Sequence, residues 1–336
     1  MTLNPRAFAP YPTPEEYILD WTDRIWADAG IGAIGGMYRD DVIVRGASGT
    51  TVGVTPVVKG SLAKKAAFPD RIGVGEDVIW EERGESRFVS YHRVLHTGAQ
   101  TEVWAYGQPT GMSAVSRNLP VCLVEDGLVI EEWVARDEWA VVAGLGHDPV
   151  AAAAAVRVNP GADGLFGRTA FPDPVVEGES GPRPDTHRAE AEFVRDLFVR
   201  IFGERRFDEV GTFYSRDSVL HTTRHHTVTR QRGIQNDALR FLAPFPDAIV
   251  EVRDIAVHAS PEQGTRASVL WRLAGTYSGL PLYGPTTGGE VEIMGMSQFE
   301  FRGGKISTEY RIFDEVAVLA QILAHRTALE GSRSGA

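Results

Sequence analysis

One cysteine, Cys122, stands in 336 residues, so the chain cannot close an internal disulfide. That suits a reducing compartment. No apolar run approaches the roughly 18–20 residues that span a bilayer. The opening stretch MTLNPRAFAPYPTPEEY lacks a basic segment followed by an apolar core, so no secretory signal is expected and a cytoplasmic location is. Basic charge is also short: 34 Lys and Arg face 45 Asp and Glu, for a net charge of −11. Nucleic-acid phosphates and anionic membrane surfaces demand the opposite sign, so neither is an expected partner. Also missing are a G-x-G-x-x-G motif after a strand, a P-loop and a G-x-S-x-G elbow. The glycines of AGIGAIGGMYRD follow a helix and suit a helix C-cap and loop. No cofactor is expected.

What is present is a repetition. FPDRIGVGEDVIW begins at Phe68 and FPDAIVEVRDIAV at Phe245, an offset of 177 residues. The same offset carries Asp40 to Asp217, Asp77 to Asp254, Thr110-Gly111 to Thr287-Gly288, Gly127 to Gly304 and Asp137 to Asp314. A period this long marks a duplicated domain, whereas solenoid units repeat every 20–50 residues or so. The expected division is a first domain at 1–148, a linker at 149–185 and a second domain at 186–336. The linker holds a short helix near Val150–Val156 and then a Gly- and Pro-rich extended stretch.

Each half follows one plan. Thr13-Pro14-Glu15-Glu16 has capping-box spacing, and Tyr17, Trp21, Ile25 and Trp26 recur at helical intervals. Residues 189–202 do the same in the second half. A strand and a further helix lead to each Phe-Pro-Asp. The period then drops to two through VGEDVIW, RFVSYHRVLHTG, MSAVSRNLPVCLVED and LVIEEWVARD. Asp126-Gly127 and Gly303-Gly304 sit between such runs as hairpin turns. A last helix closes each half, giving an α+β layer architecture.

Three features together, FPD before a strand, PTG before a strand pair and DGLVIEEWVARD before a short apolar helix, resemble the SnoaL-like polyketide cyclase family of the nuclear-transport-factor-2-like superfamily. The stretch from Gly275 to Ile322 carries the likeness most fully. The resemblance implies two tandem cone-shaped α+β barrels, each a curved antiparallel sheet wrapped around helices with one deep pocket. It also implies pairing through the outer sheet face, here as an intramolecular pseudo-dimer, with further homodimerisation left open. Function is less constrained, since one fold hosts many chemistries.

Strand parity places Val129, Glu131, Trp133, Ala135 and Asp137 on one face, and Ile306, Thr308, Tyr310, Ile312 and Asp314 on its counterpart. These mainly apolar faces are expected to point inward. The resemblance assigns a general acid/base to the aspartate ending this strand, hence Asp314 and Asp137. Burial would raise such a carboxylate's pKa toward neutrality. Helix N-capping accounts equally for both, as each directly precedes a helix. His221 is the expected partner of Asp314, and Glu131 joins Asp137. Expected substrate contacts are Tyr310, Tyr277, Trp133, Arg45, His92, His96 and Arg117, with Arg45, Arg93 and Arg117 favouring an anionic ligand. Tyr277 stands where the family often has histidine. The spacing of His221, His225 and His226 does not suit a metal.

The expectation is a cofactor-independent acid–base enzyme acting on a small carbonyl-containing molecule as a cyclase, isomerase or lyase. An epoxide hydrolase and a non-catalytic binding module are the alternatives. Divergence between the halves, as at Val44/His221, Glu131/Thr308 and Arg136/Phe313, suggests that they do different jobs; on the binding-module alternative, one half is a built-in partner.

Overall fold

Helix α1 (Pro14–Trp26) begins where the capping box predicts: the Thr13 side chain accepts from the Glu16 amide at 3.1 Å and Pro14 opens the first turn. It buries Tyr17, Ile18, Thr22 and Ile25. In the second half, α6 (Arg188–Leu197) continues into a wider turn, Phe198–Gly203, that buries Phe198, Ile201 and Phe202. The computed structural model describes residues 3–159, 164–166 and 188–334. Most of the expected extended linker lies outside the described residues.

Between α1 and its sheet come a one-turn helix α2 (Ile34–Met37), β1 (Tyr38–Gly46), β2 (Gly49–Val52) and α3 (Val54–Ala67). The strands β3 (Ile72–Glu82), β4 (Arg87–Ala99), β5 (Ser113–Glu125) and β6 (Leu128–Arg136) follow, then α4 (Glu138–Gly144) and α5 (Pro149–Ala155). After α6 the second half repeats the series: α7 (Val210–Phe213), β7 (Tyr214–Thr222), β8 (His226–Thr229), α8 (Arg230–Leu242), β9 (Ile249–Ser260), β10 (Gly264–Thr276), β11 (Glu290–Arg302), β12 (Lys305–Phe313) and α9 (Glu315–Ser334). The sheet orders are β2-β1-β6-β5-β4-β3 and β8-β7-β12-β11-β10-β9, the same path twice. In each sheet the first long strand runs parallel to the last and the other pairings are antiparallel. Both predicted hairpin turns form. Asp126 and Gly127 have φ of 50° and 81°, and Gly303 and Gly304 have 59° and 75°, the doubly left-handed geometry of a type I′ turn. No helix among the described residues is long and apolar enough to cross a membrane.

The repeated aspartates have distinct jobs. In each Phe-Pro-Asp the carboxylate accepts from a strand-end amide: Asp70 from Ala99 at 2.8 Å and Asp247 from Thr276 at 2.7 Å. The later pair, Asp77 and Asp254, reaches across to the other domain. Asp77 pairs with Arg266, and Asp254 takes Arg83 at 2.9 Å and the Tyr91 hydroxyl at 2.7 Å.

Those pairs flank an apolar layer between the two sheets. Ile79, Val89, Tyr91, Val121, Trp133 and Ala135 pack with Ala256, Leu270, Met294, Met296 and Ile312. Both faces of each sheet are therefore buried, one against its own helices and one against the other sheet. This inverts the expected strand parity. Glu131, Trp133 and Ala135 lie on the outer, sheet-to-sheet face, while Glu132, Val134 and Arg136 point into the first cone. Likewise Tyr310 and Ile312 face outward, while Glu309, Arg311 and Phe313 face the second cone's core. Helix α5 joins the halves at their ends, packing Ala152 and Ala153 against Val316, Leu319 and Ala320 of α9.

Candidate active site

The two cones share a scaffold and differ in what fills them. In the second, Phe202, Phe241, Trp271 and Phe313 pack ring against ring, with centroids 5.2–6.1 Å apart, and Arg311 lies over Phe202 and Phe241. Trp271 fits because Gly295 opposes it; a Cβ at Gly295 would fall within the indole. Gly295→Ala is therefore expected to destabilise the second domain by about 1–3 kcal/mol, the usual effect of overpacking. Urea unfolding checks this, and an unchanged midpoint would mean that the indole is free to move.

Beside these rings the second domain holds a space of about 270 Å³, lined by Arg224, Asp237, Phe241, Arg311, Phe313 and Glu315 among others. The offset of 177 puts charge in the first cone where two of the four rings stand, while Phe202 and Trp271 correspond to Ile25 and Val94. Phe241 corresponds to Lys64, Leu273 to His96, Gly295 to Asn118 and Phe313 to Arg136. Here a cavity of about 90 Å³ opens, lined by Tyr38, Lys64, Arg71, His92, His96, Asn118, Glu132 and Arg136 among others. Lys64, Arg71, His96 and Asn118 also line a smaller space with Glu138, so these four side chains border both.

Elements place each group. Glu132 sits on β6 across from Tyr38, whose hydroxyl donates to it at 2.6 Å. Burial pushes the Glu132 carboxyl above its usual range, opposed by the Tyr38 hydrogen bond and by Arg136. A matching pair lies at the base of the second cone. There Tyr214 donates to Glu309 at 2.6 Å, and burial raises Glu309 to about 7. His92 and His96 project from β4. Burial takes His92 down to about 3 and, with Arg71 and Lys64 nearby, holds His96 well below the ordinary value. Both imidazoles are neutral at pH 7.

Arg71 follows α3 and lies 4.7 Å over the Trp26 ring. It is 7 % exposed, and its Nη1 has no hydrogen-bond partner among the described residues. Burial lowers it to about 10, which leaves it cationic at neutral pH. Lys64 is 3.7 Å from Glu138, and burial with Arg71 and Arg136 nearby brings it to about 8. Glu138 accepts from Tyr106. Burial pulls its carboxyl up, but Lys64, Arg136, Tyr106 and Arg71 outweigh that and hold it below the usual range.

The expected site residues do not meet in one cavity. Only His92 and His96 line the first cone. Arg45 and Glu131 pair with each other at 2.8 Å on the outer face. Arg93 and Arg117 both bind Glu76, and Arg93 stacks 3.5 Å from Tyr310. His221 stacks on Tyr310 with centroids 4.7 Å apart and contacts Thr227 at 3.1 Å. Trp133 is part of the layer between the sheets. Tyr277 pins its own loop, donating to the Gly284 carbonyl at 2.6 Å and accepting from the Tyr283 amide at 3.0 Å.

The strand-terminal aspartates are helix caps set at the domain interface. Asp137 accepts from Ala140 at 3.2 Å and, across the interface, from the amides of Arg224 and His225 at 2.9 Å each. Burial raises it to about 6 against those three bonds. Asp314 accepts from Ala317 at 3.0 Å; burial, then the charge of the first domain's Glu138, raises it to about 7. Neither lines the cavity of its own cone. The parity inversion is the cause: the face read as inward is the one that meets the other domain.

The groups that sequence reasoning passed over are Tyr38, Lys64, Arg71, Glu132 and Arg136. One signal was available. Glu132 and Glu309 repeat at the offset, each with a tyrosine at the start of the neighbouring strand.

A family model for the SnoaL-like domain matches residues 194–309. Among solved structures, a protein described as a SnoaL-like polyketide cyclase from Jannaschia sp. CCS1 is similar at 20% identity, over 43% of this chain and 97% of that one, with a TM-score of 0.37. IdmH from Streptomyces antibioticus, described as a polyketide cyclase, is similar at 18% identity over 38% of this chain and 95% of its own, with a TM-score of 0.33. AclR from Streptomyces galilaeus, described as a hydroxylase, is similar at 18% identity over 40% and 96%, with a TM-score of 0.34. A comparison with curated proteins gives no match. Residues 194–309 match the SnoaL-like domain model, and the first half of the chain repeats the second half's strand order.

Proposed function

We propose that the chain is an acid–base enzyme with a single working cavity, in the first domain, and that it acts on a small carbonyl compound bearing an anionic group. The observation that carries this reading is the first cone's cavity, where Lys64, Arg71, His92, His96 and Glu132 gather with displaced pKa values; the second domain's raised carboxylate, Glu309, does not line the larger space beside Phe241 and Phe313. Arg71 and Arg136 are the anion-binding groups. Glu132 takes a proton from the carbon beside the carbonyl and returns it. Its pKa, raised by burial, makes it a stronger base than an exposed carboxylate. Asn118 and the neutral imidazoles of His92 and His96 offer donors to the oxygen on which charge develops. That first proton transfer is common to aldol cyclisation, isomerisation and lyase chemistry. The cavity is far below the roughly 300–1,000 Å³ of a drug-sized site, which favours a ligand of few atoms or the entry of one end of a longer one.

The test is exchange of the protons beside the carbonyl of small 2-oxo acids into heavy water, followed by NMR. Arg71→Met is expected to weaken binding of these acids by about 10–100-fold, the loss of a charge-assisted contact worth roughly 1.5–3 kcal/mol. Equal affinity in titration of wild type and variant would show that the anion does not sit at Arg71.

A further inference from the structure

We propose that Lys64 is a nucleophile that forms an iminium with the carbonyl of the cavity's ligand. The inference rests on the cavity reading above and adds a covalent step to it. The argument begins with two adjacent lysines on α3. Lys65 is tied down: its Nζ donates to the Trp26 carbonyl at 3.1 Å and the Arg71 carbonyl at 2.6 Å. Lys64 turns the other way, lines both the cavity and the smaller space beside it, and among the described residues has only the 3.7 Å approach of Glu138. A structural lysine in this fold is fastened to backbone oxygens; the neighbouring one faces open space.

The groups around Lys64 suit this chemistry. Arg71, from the segment after α3, and Arg136, from β6, crowd it with positive charge, and His96 from β4 adds none. Crowding and desolvation both favour the free amine, the form that attacks. Glu138, at the start of α4, is an ionised acceptor beside it, with the Tyr106 hydroxyl on its other side and the second domain's Asp314 close enough to feel its charge. Burial lowers Lys64 to about 8. At pH 7 that leaves roughly 10²-fold more free amine than on an ordinary lysine.

The step balances without a further reactant. The Lys64 nitrogen bonds to the carbonyl carbon as the C=O electrons move to oxygen, and that oxygen takes a proton from water. The nitrogen gives one of its two protons to Glu138, which returns it to the hydroxyl, and water leaves as the C=N bond closes with the nitrogen keeping its other proton. The protonated iminium then withdraws electrons from the neighbouring carbon, whose proton Glu132 is proposed to take.

The experiment is reductive trapping. Intact protein is incubated with glyoxylate, pyruvate or 2-oxobutanoate and cyanoborohydride, then digested and mapped by mass spectrometry. The chain has only four lysines, Lys59, Lys64, Lys65 and Lys305, so each site can be quantified. The expected result is an adduct with the mass of the acid less one oxygen, at Lys64 at least ~10-fold above the other three at pH 7. That excess should shrink in Arg71→Met, which lacks the anion anchor. Lys64 carrying no more adduct than the other lysines with all three acids would overturn the proposal. Titration of the same acids without reductant, in wild type and Arg71→Met, decides separately whether the cavity reading stands. Arg71-dependent binding without a Lys64 adduct would remove the nucleophile and keep the cavity.

Discussion

Glu132→Gln is expected to lower the rate of carbonyl-adjacent proton exchange by about 10²–10⁴-fold, the span usual for removing a general base. The substitution is close to isosteric, and the Tyr38 hydroxyl can donate to the amide oxygen as it does to the carboxylate at 2.6 Å. The fold is therefore expected to survive, with an unfolding midpoint near that of the parent. The chain supplies its own control. Glu309 likewise has a tyrosine partner, Tyr214, and a carboxyl raised by burial, but it lines neither the first cone's cavity nor the second domain's space. Glu309→Gln should leave exchange unchanged. If Glu309→Gln abolished exchange and Glu132→Gln did not, the working site would belong to the second domain.

The duplication and the order of elements were legible because they rest on local signals. Capping at Thr13, turns at Asp126-Gly127 and Gly303-Gly304, and the offset of 177 need no tertiary knowledge. The cavity was not legible, for one physical reason. Parity arguments identify the buried face of a strand by its apolarity, and they assume that the other face is wet. Here the other face packs on a second sheet. The more apolar stripe, Trp133 and Ala135, belongs to the interface, and the more polar stripe, Glu132 and Arg136, belongs to the cavity. His92 and His96 lie within a strand buried almost throughout, where polarity is itself the clue to a cavity. Lys64 and Arg71 come from a helix and the turn after it, where no periodicity marks a side chain as turned toward a ligand.

The same two-sided burial sets the second large effect, the loss expected from Asp254→Ala. Asp254 is 8 % exposed and binds Arg83 through both carboxylate oxygens, at 2.9 and 3.1 Å, besides accepting the Tyr91 hydroxyl. Removing it strands a guanidinium and a phenol in the layer between the sheets. Breaking a buried ion pair on one side costs about 3–5 kcal/mol. The lower end is expected, because Glu81 still faces Arg83 at 2.7 Å and keeps it from being wholly uncompensated. Denaturant unfolding followed by far-ultraviolet circular dichroism measures the loss. The double variant Asp254→Ala with Arg83→Met should recover part of it, since removing both charges leaves neither unpaired. A loss under about 1 kcal/mol, the range of exposed pairs, would mean that water reaches Asp254 and that the two sheets separate there. The aspartate that repeats nine residues after each Phe-Pro-Asp aromatic would then have no part in holding the halves together.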